Sequence, residues 1–188
     1  RWLNTLKDLE DPYPTPVIQE HEGIHFVRDD LLECGSKVRF IYHLIQSKDV
    51  KEWVYGSSPR WGFAQISLAY ACKKYKKKCT LFIAKSNELH PNTLKAKKLG
   101  ARIEEVGTGF LKTCEARARD YVIAAKDRRL IPLGCSHPSV IASIVKVARS
   151  LPITPDIVWT VAGSGTMNRV LQADWPEAMC FTVSVGHK

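Results

Sequence analysis

CTLFIAKSNELHPNTLKAKKLGARIEEVG, residues 79–107, sets the architecture of this chain. CTLFIAK is a short apolar run and reads as a buried strand. HPNTLKAKKLGA reads as a helix, with Pro91 in its first turn and Gly100 at its C-terminal stop. RIEEVG is the next strand. A strand, a helix of this length and a second strand make one unit of a parallel α/β sheet.

The same alternation extends in both directions. Upstream, DPYPTPVIQEHEG is a proline-broken lead-in and IHFVRDD a short strand. KVRFIYHLIQSKD is a helix, KEWVY a strand, and FAQISLAYACKKYKK a helix with Phe63, Ile66, Leu68, Ala69 and Cys72 at helical spacing. Downstream, FLKTCEARARDYVIAAKD is a helix, RLIPLG a strand, HPSVIASIVKVARSL a helix, PDIVWTVAG a buried strand, TMNRVLQADW a short helix and AMCFTVSVG a strand. There is no internal repeat and no low-complexity segment.

The chain has 188 residues, 45% hydrophobic and 25% charged. That is enough for a proper core and excludes a disordered or collagen-like chain. No apolar run approaches the roughly 20 residues of a membrane helix, so no membrane partner is expected. No signal-peptide pattern opens the sequence. The first residue is Arg1 and the last strand ends almost at Lys188, so the chain is expected to be a fragment of a longer protein. Six scattered cysteines form no CxxC pair and no zinc pattern. Free thiols in a reducing cytoplasm are expected. His90, His137 and His187 offer no metal-ligand spacing; His90 and His137 precede proline at helix starts, where capping is the expected role.

In parallel sheets ligands bind beyond the carboxyl ends of strands, so the turns after strands are where chemistry belongs. Three turns stand out. In AGSGT, Gly163, Ser164, Gly165 and Thr166 join a strand to a helix; converging amides, two hydroxyls and a helix N-terminus suit a phosphate. It is neither a Walker A loop nor GxGxxG, and a plain tight turn is the alternative. In GSSPRWG, Ser57 and Ser58 offer hydroxyls and Arg60 a fork for a carboxylate or phosphate; a serine N-cap is the alternative. Trp61 there either stacks on a ring or packs in the core. In CGSK, a Gly-Ser turn delivers Lys37 to the start of a helix. A lone lysine is usually a surface residue. An amine beside a carboxylate site and a phosphate site is what pyridoxal phosphate requires.

With these turns in view, the sequence resembles the fold-type-II, tryptophan-synthase-β-like pyridoxal-phosphate enzymes, and most nearly the aminocyclopropane-carboxylate deaminase and D-cysteine desulfhydrase branch. The resemblance rests on Pro14-Thr15-Pro16-Val17 for Pro-Thr-Pro-Leu, on VRDDLL and CGSKVRFI for Lys-Arg-Asp-Asp-Leu and Gly-Gly-Asn-Lys-x-Arg-Lys-Leu, and on GSSPRWG, IPLGCSHP and AGSGT in the same order. It implies a two-lobed, three-layer αβα fold with open parallel sheets, lacking the C-terminal part of the family chain. It implies a large cofactor domain from residues 1–45 and 131–188, a small domain from 46–130, and a homodimer.

It further implies pyridoxal 5'-phosphate bound as a Schiff base to Lys37, with Gly163, Ser164, Gly165 and Thr166 on its phosphate. Arg39 falls on the arginine that follows the family's lysine. Ser57, Ser58, Arg60 and Trp61 would bind the carboxylate of an amino-acid substrate, and Ser58 would also reach the reacting carbon. The expected activity is that of a lyase or deaminase: deamination, β-elimination or β-replacement. Two departures bear on it. Ser36 replaces the asparagine before the lysine, and Pro59 or Arg60 replaces the asparagine of the substrate loop. What contacts the pyridine nitrogen is left open.

The net charge is +9, with five lysines in CKKYKKKC, residues 72–79. They complement a helix C-terminus or mark a polyanion site, nucleic acid included. Two alternatives therefore stand beside the lyase: an enzyme whose amino acid is attached to nucleic acid, and a degenerate relative acting as a binding module.

Overall fold

The computed structural model describes residues 10–57, 59, 61–107 and 110–185. The chain divides into two compact units, residues 30–133 and residues 1–29 with 134–188. The division differs from the expected one at residues 131–133 and at residues 30–45. The latter belong with the central unit because their helix packs on the next helix of that unit.

The central unit holds α1 (Lys37–Ile45), β3 (Glu52–Tyr55), α2 (Ala64–Lys74), β4 (Lys78–Ala84), α3 (Pro91–Lys98), β5 (Arg102–Val106), α4 (Leu111–Ile123) and β6 (Arg128–Leu130). Its four strands are all parallel, in the order β5-β4-β3-β6. Strands 3, 4 and 5 step one way across the sheet, and strand 6 returns to the far side of β3. Right-handed crossovers then place α2 and α3 on one face and α4 on the other. Val54 and Leu81 are fully buried at the centre. Gly56, at the end of β3, lies where α4 crosses. A Cβ there would stand 2.6 Å from the Ala118 methyl and 2.7 Å from the Cys114 carbonyl oxygen.

Helix α3 behaves as its sequence requires. Pro91 occupies the first turn, and Gly100 takes φ +100° just beyond the end.

The other unit holds β1 (Ile18–His21), β2 (Ile24–Val27), α5 (Pro138–Ser150), β7 (Ile157–Ala162), α6 (Thr166–Asp174) and β8 (Met179–Ser184). Strands β1 and β2 form an antiparallel hairpin apart from the parallel sheets. Glu22 and Gly23 both have positive φ, 50° and 76°, the signature of a type I′ two-residue turn. Strands β7 and β8 pair in parallel, and α6 packs on them. Arg149 of α5 clasps the Asp174 carboxylate of α6. Strand β7 is not the buried strand its composition implies. Only Val158 is buried, because this sheet has two strands and one helix-covered face. Ile157, Trp159 and Val161 lie exposed in register with Met179, Phe181 and Val183, and Trp159 stacks on Phe181 at 4.6 Å.

No helix is long and apolar enough to cross a membrane, among the described residues. The six cysteines are free thiols, five of them buried.

Candidate active site

The reversal of strand order makes β3 and β6 neighbours that lead to opposite directions of the sheet. Such a switch point opens a crevice beyond the carboxyl ends of the two strands. The segment leaving β3 there is Gly56-Ser57 and the loop that follows; the segment leaving β6 is Ile131-Pro132-Leu133. Ile131 extends the pairing by donating its amide to the Val54 carbonyl at 2.8 Å.

The loop after β3 is pinned at its far end. The Gly62 amide closes a turn on the Pro59 carbonyl at 2.8 Å. Gln65 Nε2 donates to the Gly62 carbonyl at 3.0 Å, and Asn92 Nδ2 to the Trp61 carbonyl at 3.2 Å. Thr93 in turn donates to Gln65 Oε1, so two helices hold one loop. A small cavity of about 130 Å³ lies beside it, lined by Pro59, Gln65, Lys85, His90 and Thr93 among others. Ser57 is buried, 1% exposed. Ser58 and Arg60 lie outside the described residues. Trp61 is 76% exposed, its edge against His90, so core packing is not its role. Phe63 stands at the N-cap of α2 without a side-chain cap bond; no serine caps this helix.

The turn that carries Lys37 is built on two left-handed residues, Cys34 at φ 65° and Gly35 at φ 83°. Cysteine pays a steric penalty in that region that glycine does not. What holds the turn is α2: Ser67 Oγ donates to the Cys34 carbonyl at 2.6 Å. The Phe63 ring lies so close to Gly35 that a Cβ would approach it to 2.8 Å. Burial pushes the Cys34 thiol pKa up; Lys95 opposes the shift and Glu33 adds to it. Ser36, the N-cap of α1, makes no side-chain cap bond. Lys37 opens α1 half-buried, and within its own unit no hydrogen bond or ion pair engages its ammonium among the described residues. A cation gains nothing from the helix macrodipole at that end. Arg39, two residues on, is buried. The CGSK turn and the loop after β3 are thus joined through the first turn of α2.

The glycine loop is in the other unit. Gly165 takes φ 73° as the N-cap of α6, whose first amides have no acceptor in their own helix. Ser164 Oγ and Thr166 Oγ1 sit 3.2 Å apart. A Cβ on Gly134, in the same unit, would strike Ser164 Oγ at 2.2 Å, so glycine is required there. Arg169 brings its guanidinium to 3.6 Å from where a Gly165 Cβ would stand. Two hydroxyls, the amides of a helix start, an arginine and a Cβ-free approach fit a phosphate group. Sequence reading placed the hydroxyls and glycines but passed over Arg169; its i+4 spacing from Gly165 was the available signal. Phe63, Ser67 and Asn92 were missed too, because what they support is a turn far away in sequence.

His90 and His137 cap α3 and α5, their Nδ1 atoms accepting from the Asn92 and Ser139 amides at 3.2 Å. Burial lowers the His137 pKa. Among the described residues no group of His, Cys, Asp or Glu could hold a metal ion.

No family model and no curated protein sequence matches this chain. Solved structures do. An ACC deaminase homologue superposes with a TM-score of 0.80 at 18% identity, over 98% of this chain and 66% of the other. A pyridoxal 5'-phosphate-dependent aspartate racemase gives 0.71 at 16%, over 97% and 61%. The processed form of threonine deaminase isoform 2 from Solanum lycopersicum gives 0.74 at 15%, over 97% and 55%. The chain has the fold of the fold-type-II pyridoxal-phosphate enzymes. It spans 55 to 66% of the length of these fold-type-II chains.

Proposed function

We propose that this chain is the lysine-bearing and phosphate-binding part of a pyridoxal-phosphate-dependent amino-acid lyase or deaminase. One observation carries the reading: the Lys37 turn, built on two left-handed residues, is locked by Phe63 and Ser67 to the helix that ends the loop after β3. A solvated surface lysine requires no such support. In the proposal Lys37 holds the cofactor covalently through its amine. Ser164, Thr166, the first amides of α6 and Arg169 hold the phosphate, and Gly163 and Gly165 let the backbone approach it. Bound there, pyridoxal phosphate supplies an electron sink for charge developing at a substrate carbon. The Lys37 amine would be the group that moves a proton at the substrate's α or β carbon. The loop from Ser57 to Trp61 orients the substrate carboxylate, Ser58 reaches the reacting carbon, and Arg60 favours a substrate with a second anionic group. Elimination, deamination and replacement share these early roles. The assembly is expected to be a homodimer in the cytoplasm.

Burial of Ser57 favours a second reading, a relative that keeps the fold and binds a phosphate ligand without chemistry. One experiment separates them. Pyridoxal phosphate is titrated into the full-length protein, the visible absorbance band is recorded, borohydride is added, and the modified residue is mapped by mass spectrometry. A phosphopyridoxyl group on Lys37, absent in Lys37→Ala, is the expected result. Lys37→Ala should fold normally by circular dichroism. The same band and adduct in Lys37→Ala would sink the assignment. A folded wild type with no band would put the binding module first.

A further inference from the structure

The positive charge of this protein is concentrated at one end of one sheet. In a parallel sheet every helix-to-strand turn emerges at the amino ends of the strands. The four such turns of the central unit contain residues 48–51, 73–78, 97–102 and 126–129. The register brings them together: Glu52 pairs with Lys78 and Arg128, and Arg102 with Thr80. These four segments hold 13 of the 28 lysines and arginines and 2 of the 19 acidic residues, leaving 15 basic against 17 acidic residues elsewhere. The rest of the chain is slightly acidic.

Several of the 13 are engaged locally, and Arg129, itself exposed, donates to the Lys126 and Arg128 carbonyls at 2.8 and 2.7 Å. Lys77 donates to the Ser47 and Val50 carbonyls at 2.7 and 2.6 Å. Arg128 pairs with Glu52, Arg102 with Glu104, and Lys51 lies 4.0 Å from Asp127. Lys48, Lys73, Lys74, Lys76, Lys78, Lys97, Lys98 and Lys126 are exposed as well. Complementing helix dipoles needs a charge or two per helix, and this end carries far more.

We propose that this end of the sheet binds the phosphate backbone of a nucleic acid, without sequence preference. Strands about 4.8 Å apart give a face roughly 14 Å wide, matching about four phosphates of one strand. Flexible lysines predominate, and they act as point charges rather than forks for particular bases. None of these segments exposes a large apolar side chain. The face thus lacks the apolar insertion that anchors a protein on a membrane and the apolar centre of a protein interface. The face is also remote from the candidate active site. The loop after β3 leaves the carboxyl end of the sheet, about 20 Å away along β4. Nucleic acid held here is therefore a docking partner of the enzyme, and its binding is independent of the cofactor.

The test is fluorescence anisotropy of a labelled 20-nucleotide strand, and of its duplex, with the full-length protein between 20 and 200 mM salt. The expected result is saturable binding whose logarithm falls linearly with log salt. The variant Lys73→Glu/Lys74→Glu/Lys76→Glu/Lys78→Glu should bind at least tenfold more weakly at 50 mM salt, with the slope reduced by about three. Lys97→Glu/Lys98→Glu, on a different helix, should weaken binding as well and serves if the fourfold variant fails to fold. Lys112→Glu/Arg117→Glu, outside the face, should bind as the wild type does. No binding at 20 mM salt, or equal loss in the Lys112/Arg117 control, overturns the proposal. So does binding to anionic phospholipid vesicles with none to either oligonucleotide.

Discussion

Gly56 shows how narrowly single residues position this site. It is the last residue before the candidate substrate loop, and it lets the end of β3 lie directly under α4. Gly56→Ala would press a methyl against the Ala118 methyl and the Cys114 carbonyl, neither of which can swing away. The expected loss is about 2–3 kcal/mol of stability, read as a lower midpoint in urea. Equal midpoints would mean that α4 yields at no cost. Gly35→Ala meets the movable Phe63 ring, but its φ of 83° carries an expected loss of about 1–2 kcal/mol. Cys34 and Cys135 hold positive φ, 65° and 55°, and Cys34 stands where the Gly-Gly-Asn-Lys motif has glycine. The left-handed backbone was therefore legible only through the resemblance, because a cysteine gives no local sign of it.

At the scale of elements, the amino end of β3 is tied across the sheet by one carboxylate. Glu52 accepts from Thr80 at 2.6 Å, Tyr121 at 3.0 Å and Arg128 at 2.9 Å, and the Arg128 guanidinium lies over the Tyr121 ring at 3.8 Å. Burial pushes the Glu52 pKa upward, but the three hydrogen bonds and the charge of Arg128 outweigh it and hold it below the ordinary value. A carboxylate with a depressed folded pKa stabilises fully above its unfolded value, near 4.3. That stabilisation is lost as pH falls through the lower, folded value. Glu52→Gln is expected to lower stability by about 2–4 kcal/mol at pH 7 and to flatten the acid limb of the stability curve below about pH 5. Thermal midpoints from pH 7 to 3 check this; parallel curves for the two proteins would refute it. Nothing in the sequence announced this network, since its members are 28 to 76 positions from Glu52. The helices and parallel strands were legible because apolar periodicity, Pro91 and Gly100 are local signals. The β1–β2 hairpin was missed because a Glu-Gly turn is a weaker mark than Asn-Gly or Asp-Gly.

For the whole molecule, charge and burial follow different rules. Parallel connectivity sends every helix-to-strand turn of the central unit to one end, so four basic segments that look scattered along the chain become one face. The sequence showed the densest of them, residues 73–78, but only strand order and register join the rest to it. Likewise the apolar composition of β7 predicted burial, and the two-stranded sheet leaves its outer face open. The basic face has a consequence for stability whatever binds it. The exposed cations on this end repel each other in the fold and separate on unfolding. Salt screens that repulsion over a Debye length of about 10 Å at 0.1 M. Raising sodium chloride from 20 to 300 mM should therefore raise the thermal midpoint of the protein alone by a few degrees. The gain should shrink in Lys73→Glu/Lys74→Glu/Lys76→Glu/Lys78→Glu, where opposite charges replace the repulsion. A midpoint that falls with salt in the wild type would mean that favourable surface pairs, such as Lys51 with Asp127, outweigh the like charges around them.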